Sequence, residues 1–490
     1  METVALDQSL SFRGQVRLTA KHGVKHASRA MHNGSVLALC EMAALAVALV
    51  TAGFVRIAVT DGGGLVVGWG WAVVPIYAIG GLLWKLLPGW GLGAVEELRR
   101  QTLLIASSFA LAVIGIWLAG PDPSAVQVAS RLTLGGAGLL SLALVPLARA
   151  KAKSMLIADD SWGVPAVVYG GGEAGARVVR QLQEQRGIGY NAEAVFDDDE
   201  ERWGDYLDTV PIKGDLSHVA PEAYVAFLAL PEASRERQTE LLEGPLSSYP
   251  TVVVIPELVD APTLGVKPRD IAGLLGLEIS ATLTRRVPRT LKRLADLCVV
   301  VGLAPFWVPV TLLIAAAIWL EDRASPFYGQ ERVGLDGQPF CAWKLRTMVP
   351  DAEAVLQRAL EEDEVLRAEW EMFFKLEKDP RITRVGAFLR KTSLDELPQL
   401  YNVLVGDMSL VGPRPLPGYH HEELPGRTRQ LRERVRPGIT GLWQVSGRSD
   451  AGNAGMERWD PYYVRNWSPW LDAVILVRTV RVVIKGSGAY

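Results

Sequence analysis

Four long apolar segments constrain this chain more than any other feature. They run over about residues 35–55, 64–87, 102–119 and 128–148. A helix needs about 20 apolar residues to cross a bilayer, and each segment is close to that. A water-soluble protein of 490 residues would rarely carry so many such runs, and 49% of this chain is apolar. The segments therefore predict a bundle of four transmembrane helices. Glu41 and Arg131 fall inside spans, where ion pairs within the bundle or places near an interface suit them better than a proton path.

Lysine and arginine set the orientation. Arg13, Arg17, Lys21, Lys25 and Arg29 precede the first span, Arg99 and Arg100 stand between spans two and three, and Arg149, Lys151 and Lys153 follow the fourth. The loops 56–63 and 120–127 hold only Arg56 between them. The positive-inside rule then puts both ends of the bundle in the cytoplasm. The first 30 residues are polar and basic, so a cytoplasmic tail over 1–32 is expected and a cleavable signal peptide is not.

A fifth apolar stretch, 294–320, is long enough to cross as well. Both its flanks are basic, with Arg285, Arg286, Arg289, Lys292 and Arg293 before it and Arg323 and Arg332 after. Pro305 and Pro309 lie in its middle, where proline removes a helical hydrogen bond and bends the chain. A re-entrant hairpin that returns to the cytoplasmic side fits this pattern better than a full span.

Net charge is only −3, so nothing draws the chain to nucleic acid. Cys40, Cys298 and Cys341 are far apart and form neither a zinc pattern nor a disulfide framework.

Residues 164–180 read VPAVVYGGGEAGARVVR. A strand-like run leads into Gly170, Gly172 and Gly175 at G-x-G-x-x-G spacing and then a helical pattern, with Asp197 ending a second apolar run. Strand-like runs follow at 223–230 and 251–256. This order predicts a Rossmann-like α/β domain over 161–260, followed by a linker over 261–284. A glycine turn also serves close strand–helix packing with no ligand, and no acid–base set accompanies it, so a dehydrogenase or epimerase is not expected. The epimerase's Tyr-x-x-x-Lys pair is absent from 161–260.

Residues 285–490 mix amphipathic helix patterns with dense charge. The stretch 351–378 reads as a helix with a solvated charged face. Cations recur beside apolar residues: Lys344 and Arg346 in WKLRTM, Arg390 and Lys391 in FLRKTS, Arg414 in GPRP and Arg436 in LRERVRPG. Such groups suit anionic headgroups and phosphates, though any single cluster also fits ordinary surface charge. The segment KTSLDELPQL, 391–400, places Asp395 and Glu396 side by side. Ser393 with Glu396 three residues on makes a capping box for a helix start. Pro398 would leave the Leu394 carbonyl without its usual partner. Together the acids and cations also look like a phosphoryl-transfer site, in which a carboxylate attacks or holds Mg²⁺.

The runs KRLADL, SPFYGQERVGL, WKLRTM, KDPRITRVGAFLRKTSLDELPQLYNVLVGDMSLVGPRP, RPGITGLWQVSGR and WDPYYVRN resemble the bacterial polyprenyl-phosphate sugar-phosphate transferases, the monotopic phosphoglycosyl transferases. The likeness covers 288–490, and the four spans, the Rossmann-like middle and the ending GSGAY extend it to the large form of that family. It implies that a UDP-hexose gives its sugar 1-phosphate to undecaprenyl phosphate, releasing UMP and priming O-antigen, capsule or exopolysaccharide synthesis. Galactose is favoured by the architecture, with glucose next. Carried over, Asp395 is the nucleophile that forms a covalent phosphosugar intermediate and Glu396 binds Mg²⁺. Lys344, Arg390 and Arg414 match phosphate-contacting positions. Arg436, Gln444 and Arg448 are weaker candidates for nucleotide or lipid-phosphate contacts. Asp460 is a further acidic candidate, and Asp472 fits a structural role equally well. The resemblance also implies a homodimer in the bacterial inner membrane, with the catalytic domain on the cytoplasmic face.

Two departures stand out. Arg346 replaces the second lysine of the family's KxKTM-like motif and keeps its charge. Ala304-Pro305 replaces a Ser-Pro break, which removes a hydroxyl that could satisfy freed backbone. The competing reading is a non-catalytic membrane-anchored sensor that binds a nucleotide in the Rossmann-like domain.

Overall fold

The computed structural model describes residues 2–60, 68–119, 125–256, 267–271, 274–278, 286–373, 376, 379–446 and 452–485. It divides into two compact units, Met1–Leu258 and Val259–Tyr490.

In the first unit, helices α1 (Glu2–Thr60), α2 (Val73–Leu83), α3 (Ala94–Ala119) and α4 (Ala125–Ala158) surround one apolar core. Leu45 and Leu49 of α1, Tyr77 of α2, Ile105 and Phe109 of α3 and Leu134 and Val145 of α4 meet there. Phe54, Leu111 and Leu139 point outward and are exposed, the surface a lipid environment would cover. Helix α1 begins at Glu2, so the expected tail and first span form one helix. The second expected span is shorter than its apolar run: a 3-10 turn (Gly68–Ala72) precedes α2, and Lys85 takes a left-handed φ of 53° just beyond it. Among the described residues, His26–Val59, Thr133–Ala158 and Pro288–Asp322 are long and apolar enough to cross a membrane.

Glu41 lies in a buried ion-pair network. Its carboxylate accepts from Arg149 at 2.5 Å and from Gln101 and Tyr77 at 3.2 and 3.3 Å. Arg149 also pairs with Glu97, which holds Lys153 at 3.0 Å. The Arg131 side chain lies outside the described residues.

The rest of this unit is a four-stranded parallel sheet. Its strands are β1 (Val164–Tyr169), β2 (Tyr190–Phe196), β3 (Val225–Leu228) and β4 (Thr251–Val254), in the order β2-β1-β3-β4. Helices α5 (Glu173–Glu184) and α6 (Arg235–Glu243) make the crossovers after β1 and β3. Gly170 has φ +110°, and a Cβ on Gly175 would lie 1.9 Å from the Gly170 carbonyl oxygen. Those glycines are therefore required by the turn itself. Asp197 serves the same turn: its carboxylate accepts the Gly171 N–H at 2.5 Å and the Asp199 N–H at 2.9 Å.

The expected linker carries an antiparallel hairpin, β5 (Lys267–Ile271) with β6 (Leu274–Glu278). In the same second unit α7 (Arg286–Asp322) follows, and it stays helical through both prolines instead of breaking into two helices at Ala304-Pro305. Both halves of α7 grip the same unit. Near its start, Arg293 donates to the Leu404 carbonyl at 2.9 Å and Asp296 accepts from Ser409 at 2.6 Å. Near its end, Ile318 packs with Leu345 and Leu389, and Asp322 takes both Arg346 nitrogens at 2.5 and 2.6 Å. A straight helix would put Arg293 and Ile318 about 38 Å apart. Their partners are neighbours, because Asn402 accepts the Trp343 N–H at 3.0 Å. Between the two grips, Leu303, Phe306 and Leu313 are exposed.

An antiparallel hairpin follows, β7 (Phe327–Val333) with β8 (Pro339–Leu345). The expected amphipathic helix 351–378 is two helices, α8 (Ala352–Glu362) and α9 (Glu364–Phe373). Asp363 interrupts it and accepts the Val365 N–H at 2.8 Å. The remainder comprises α10 (Arg384–Thr392), α11 (Gln399–Val405), β9 (Ser409–Val411), α12 (Gly418–Glu422), α13 (Gly426–Glu433), β10 (Gly438–Thr440), α14 (Leu442–Ser446), α15 (Gly452–Asn466) and α16 (Pro469–Lys485). Strands β9 and β10 pair in parallel.

Candidate active site

The two acids stand on a 3-10 turn, Leu394–Glu396, between α10 and α11. The capping box read from the sequence does not form. Ser393 is the left-handed C-cap of α10, with φ 56°, and its hydroxyl makes no cap bond. Thr383 caps that helix, accepting the Gly386 N–H at 3.0 Å. Pro398 supplies no N–H for the Leu394 carbonyl, and the turn adapts: Leu397 N–H bonds it instead at 3.2 Å. Tightening from an i+4 to an i+3 bond keeps the carbonyl satisfied and sets the acids on the tighter turn.

Lys344, from β8, reaches the acids, with its ammonium 2.9 Å from Glu396 Oε1 and 3.7 Å from Asp395 Oδ2. Arg414, in the turn after β9, comes within 3.4 Å of the same Glu396 oxygen. Burial works to raise the Glu396 carboxyl, but Arg414 and Lys344 outweigh it and hold Glu396 below the usual carboxylate range. Asp395 moves the other way. Burial raises it, Glu396 adds to the rise, and the more distant Lys344 offsets only part. One acid is thus a firmly ionised, cation-clamped carboxylate. The other is a desolvated one with its charge less fully compensated, the state suited to a nucleophile.

Arg390 lies in the last turn of α10, donates to the Thr347 hydroxyl at 3.0 Å and acts on Asp395 through its charge. Arg332, expected above only as a basic flank of the apolar stretch 294–320, lies within electrostatic reach of Arg414 and Glu396. Its place in QERVG on the hairpin facing the dyad was the available signal.

The other candidates lie in different surroundings. Arg346 is tied to Asp322 at the end of α7. Arg436 donates to the Gly406 carbonyl at 2.7 Å, beyond the end of α11. Gln444 is on α14 with its Oε1 beside Gly441. Arg448 falls outside the described residues. Asp460 is buried and paired with Arg432, and burial pushes it up to about 6 against the pull of that arginine. Asp472 accepts from Lys292 at 2.7 Å, Tyr463 at 2.8 Å and Trp467 at 3.0 Å, a structural junction.

No group of three or more metal-binding side chains occurs among the described residues. Two adjacent carboxylates nevertheless fit Mg²⁺, which is commonly held by one or two carboxylates and completes its shell with substrate phosphates and water.

An acid pair on a tight turn, clamped by cations from a neighbouring hairpin and turn, has the chemistry that phosphoryl transfer requires. Comparison with known proteins identifies the family. The family model described as "Bacterial sugar transferase" matches residues 287–486. A UDP-galactose-lipid carrier transferase of Erwinia amylovora is 37% identical over 72% of this chain and 75% of its own length. An undecaprenyl-phosphate galactose phosphotransferase of Salmonella typhimurium is 35% identical over 71% of this chain and 74% of its own. A UDP-glucose:undecaprenyl-phosphate glucose-1-phosphate transferase of Klebsiella pneumoniae is 31% identical over 65% and 67%. The chain belongs to the bacterial sugar transferase family and is an enzyme of this kind.

Proposed function

We propose that the protein transfers hexose 1-phosphate from a UDP-sugar to undecaprenyl phosphate, releasing UMP, and so starts synthesis of a surface polysaccharide. The observation that carries this reading is the asymmetric acid pair, Asp395 desolvated and Glu396 clamped by Lys344 and Arg414. An Asp395 carboxylate oxygen attacks the β-phosphorus, an aspartyl–phosphorus bond forms, and the bond to the α-phosphate oxygen breaks as UMP leaves. The lipid phosphate oxygen then attacks the same phosphorus and releases the Asp395 carboxylate. Lys344, Arg390 and Arg414 offset the repulsion between Asp395 and the diphosphate. Glu396 would hold Mg²⁺, which neutralises phosphate charge when bound.

Galactose is the favoured sugar, because the two relatives named above for galactose are more similar than the one named for glucose. Exposed apolar faces on the four-helix bundle support its insertion in the inner membrane. The two grips on α7, with an exposed apolar stretch between them, support a re-entrant helix with the catalytic domain at the cytoplasmic face. There a soluble UDP-sugar and a lipid phosphate can both reach the site. A homodimer is part of this proposal on family likeness alone.

The test is direct. Purified protein is incubated with Mg²⁺, undecaprenyl phosphate and either UDP-galactose or UDP-glucose, and UMP is measured. UMP release that depends on the lipid for continued turnover is expected. No UMP with any UDP-sugar tested overturns the reading.

A further inference from the structure

Arg432 lies in α13, within the LRERVRPG cluster but without a role assigned to it above, and is 6% exposed. Its guanidinium bridges two elements. One terminal nitrogen pairs with the Asp460 carboxylate, and the other donates to the Arg414 main-chain carbonyl at 2.6 Å. Asp460 itself is 1% exposed on α15, so it has no open face for a substrate. A planar guanidinium can hold a carboxylate and a carbonyl at once from two fixed nitrogens, which a lysine cannot do in the same way.

The stretch leading to Arg414 is held at several carbonyls. Tyr463, one helical turn beyond Asp460, donates to Val411 O at 2.9 Å. Gly438 N–H donates to Pro413 O at 2.9 Å. Arg432 adds the third hold, at the residue whose long side chain must reach Glu396 while partly exposed. Fixing the main chain at that residue narrows where its guanidinium can go.

The geometry points to Arg432 as a positioning residue that, backed by Asp460, fixes Arg414 against Glu396 and the substrate phosphates. This rests on the reaction proposed above and reassigns Asp460 from a ligand contact to a support.

The test is a double-mutant cycle of Arg432→Lys and Arg414→Ala, read by UMP release and by hydrogen exchange. Arg432→Lys keeps a cation beside Asp460 but loses the planar bridge. In the otherwise native chain it should cut kcat/KM at least tenfold and speed amide exchange across 409–416 with other segments unchanged. In the Arg414→Ala background the same change should cost less than twofold. Equal losses in both backgrounds, or no local change in exchange, overturn the proposal. Wild-type UMP release reports separately on the reaction, and the exchange measurement stands whatever the activity. If Arg432→Lys does not fold, Asp460→Asn is read by the same cycle and exchange pattern, with the same outcomes deciding.

Discussion

The Lys344 ammonium is closer to Glu396 than to Asp395, 2.9 Å against 3.7 Å. With Arg414 on the same Glu396 oxygen, this inequality divides the two neighbouring acids into a clamped one and a less compensated one. Replacing Lys344 should therefore disturb both roles. Lys344→Met should lower kcat/KM for UMP release by about a hundredfold, the scale for losing one preorganised charge contact. A variant with near-native kinetics would remove Lys344 from the site.

The raised Asp395 carboxyl has consequences of known sign. As the proposed nucleophile Asp395 would have to be ionised, so the acid limb of kcat/KM should fall off at a higher pH than an ordinary aspartate would give. For stability, a folded pKa above the unfolded one means protonation favours the folded state. That contribution is present below the unfolded pKa and lost as pH rises through the folded one. Asp395→Asn should therefore melt higher than wild type at neutral pH, with the gap closing on acidification. Melting curves across pH 4–8 check both directions, and a lower melting temperature at pH 7 would contradict the burial argument.

Glu41 is expected to matter for stability only. Glu41→Leu leaves Arg149 buried with Glu97 as its remaining carboxylate. The cost should be about 3 kcal/mol, the low end for breaking a buried pair. Detergent-solubilised melts should show it, while UMP turnover per folded molecule stays unchanged.

Gly386 is a packing requirement under the α10 helix that carries Arg390. A Cβ there would lie 2.1 Å from the Thr347 carbonyl oxygen, which cannot retreat as a side chain could. Gly386→Ala should cost about 1–3 kcal/mol and weaken activity through Arg390. Chemical denaturation and UMP release, compared in one preparation, test both.

Much of this was legible in the sequence because it rests on local pattern. Apolar runs marked helices that share one core, two of them long and apolar enough to cross a membrane, and the order of strands, glycines and helix marked the parallel sheet. Asp395, Glu396, Lys344 and Arg414 come together as their motifs implied. Ser393 misled because S-x-x-E reads as a helix start, whereas α10 had already begun at the Thr383 cap and Ser393 ends it. The gripping of α7 at both halves depends on contacts 24 to 113 residues apart, which no local pattern carries. Arg432 stood in the LRERVRPG cluster, but its bridging contacts were not legible, because one partner is a distant carboxylate and the other a main-chain carbonyl.

The central claim is that Asp395 becomes covalently bonded to phosphorus. The decisive measurement uses the labelled UDP-sugar that supports UMP release, with no lipid acceptor, followed by denaturation and peptide mass analysis. Wild type should carry one hexose-phosphate on the peptide containing Asp395, and adding undecaprenyl phosphate should discharge it. Asp395→Asn should show no adduct and lose about a thousandfold or more in turnover, and Glu396→Gln should be similarly slow, while both remain folded. Label that persists in Asp395→Asn, or turnover within about tenfold of wild type, would contradict the account.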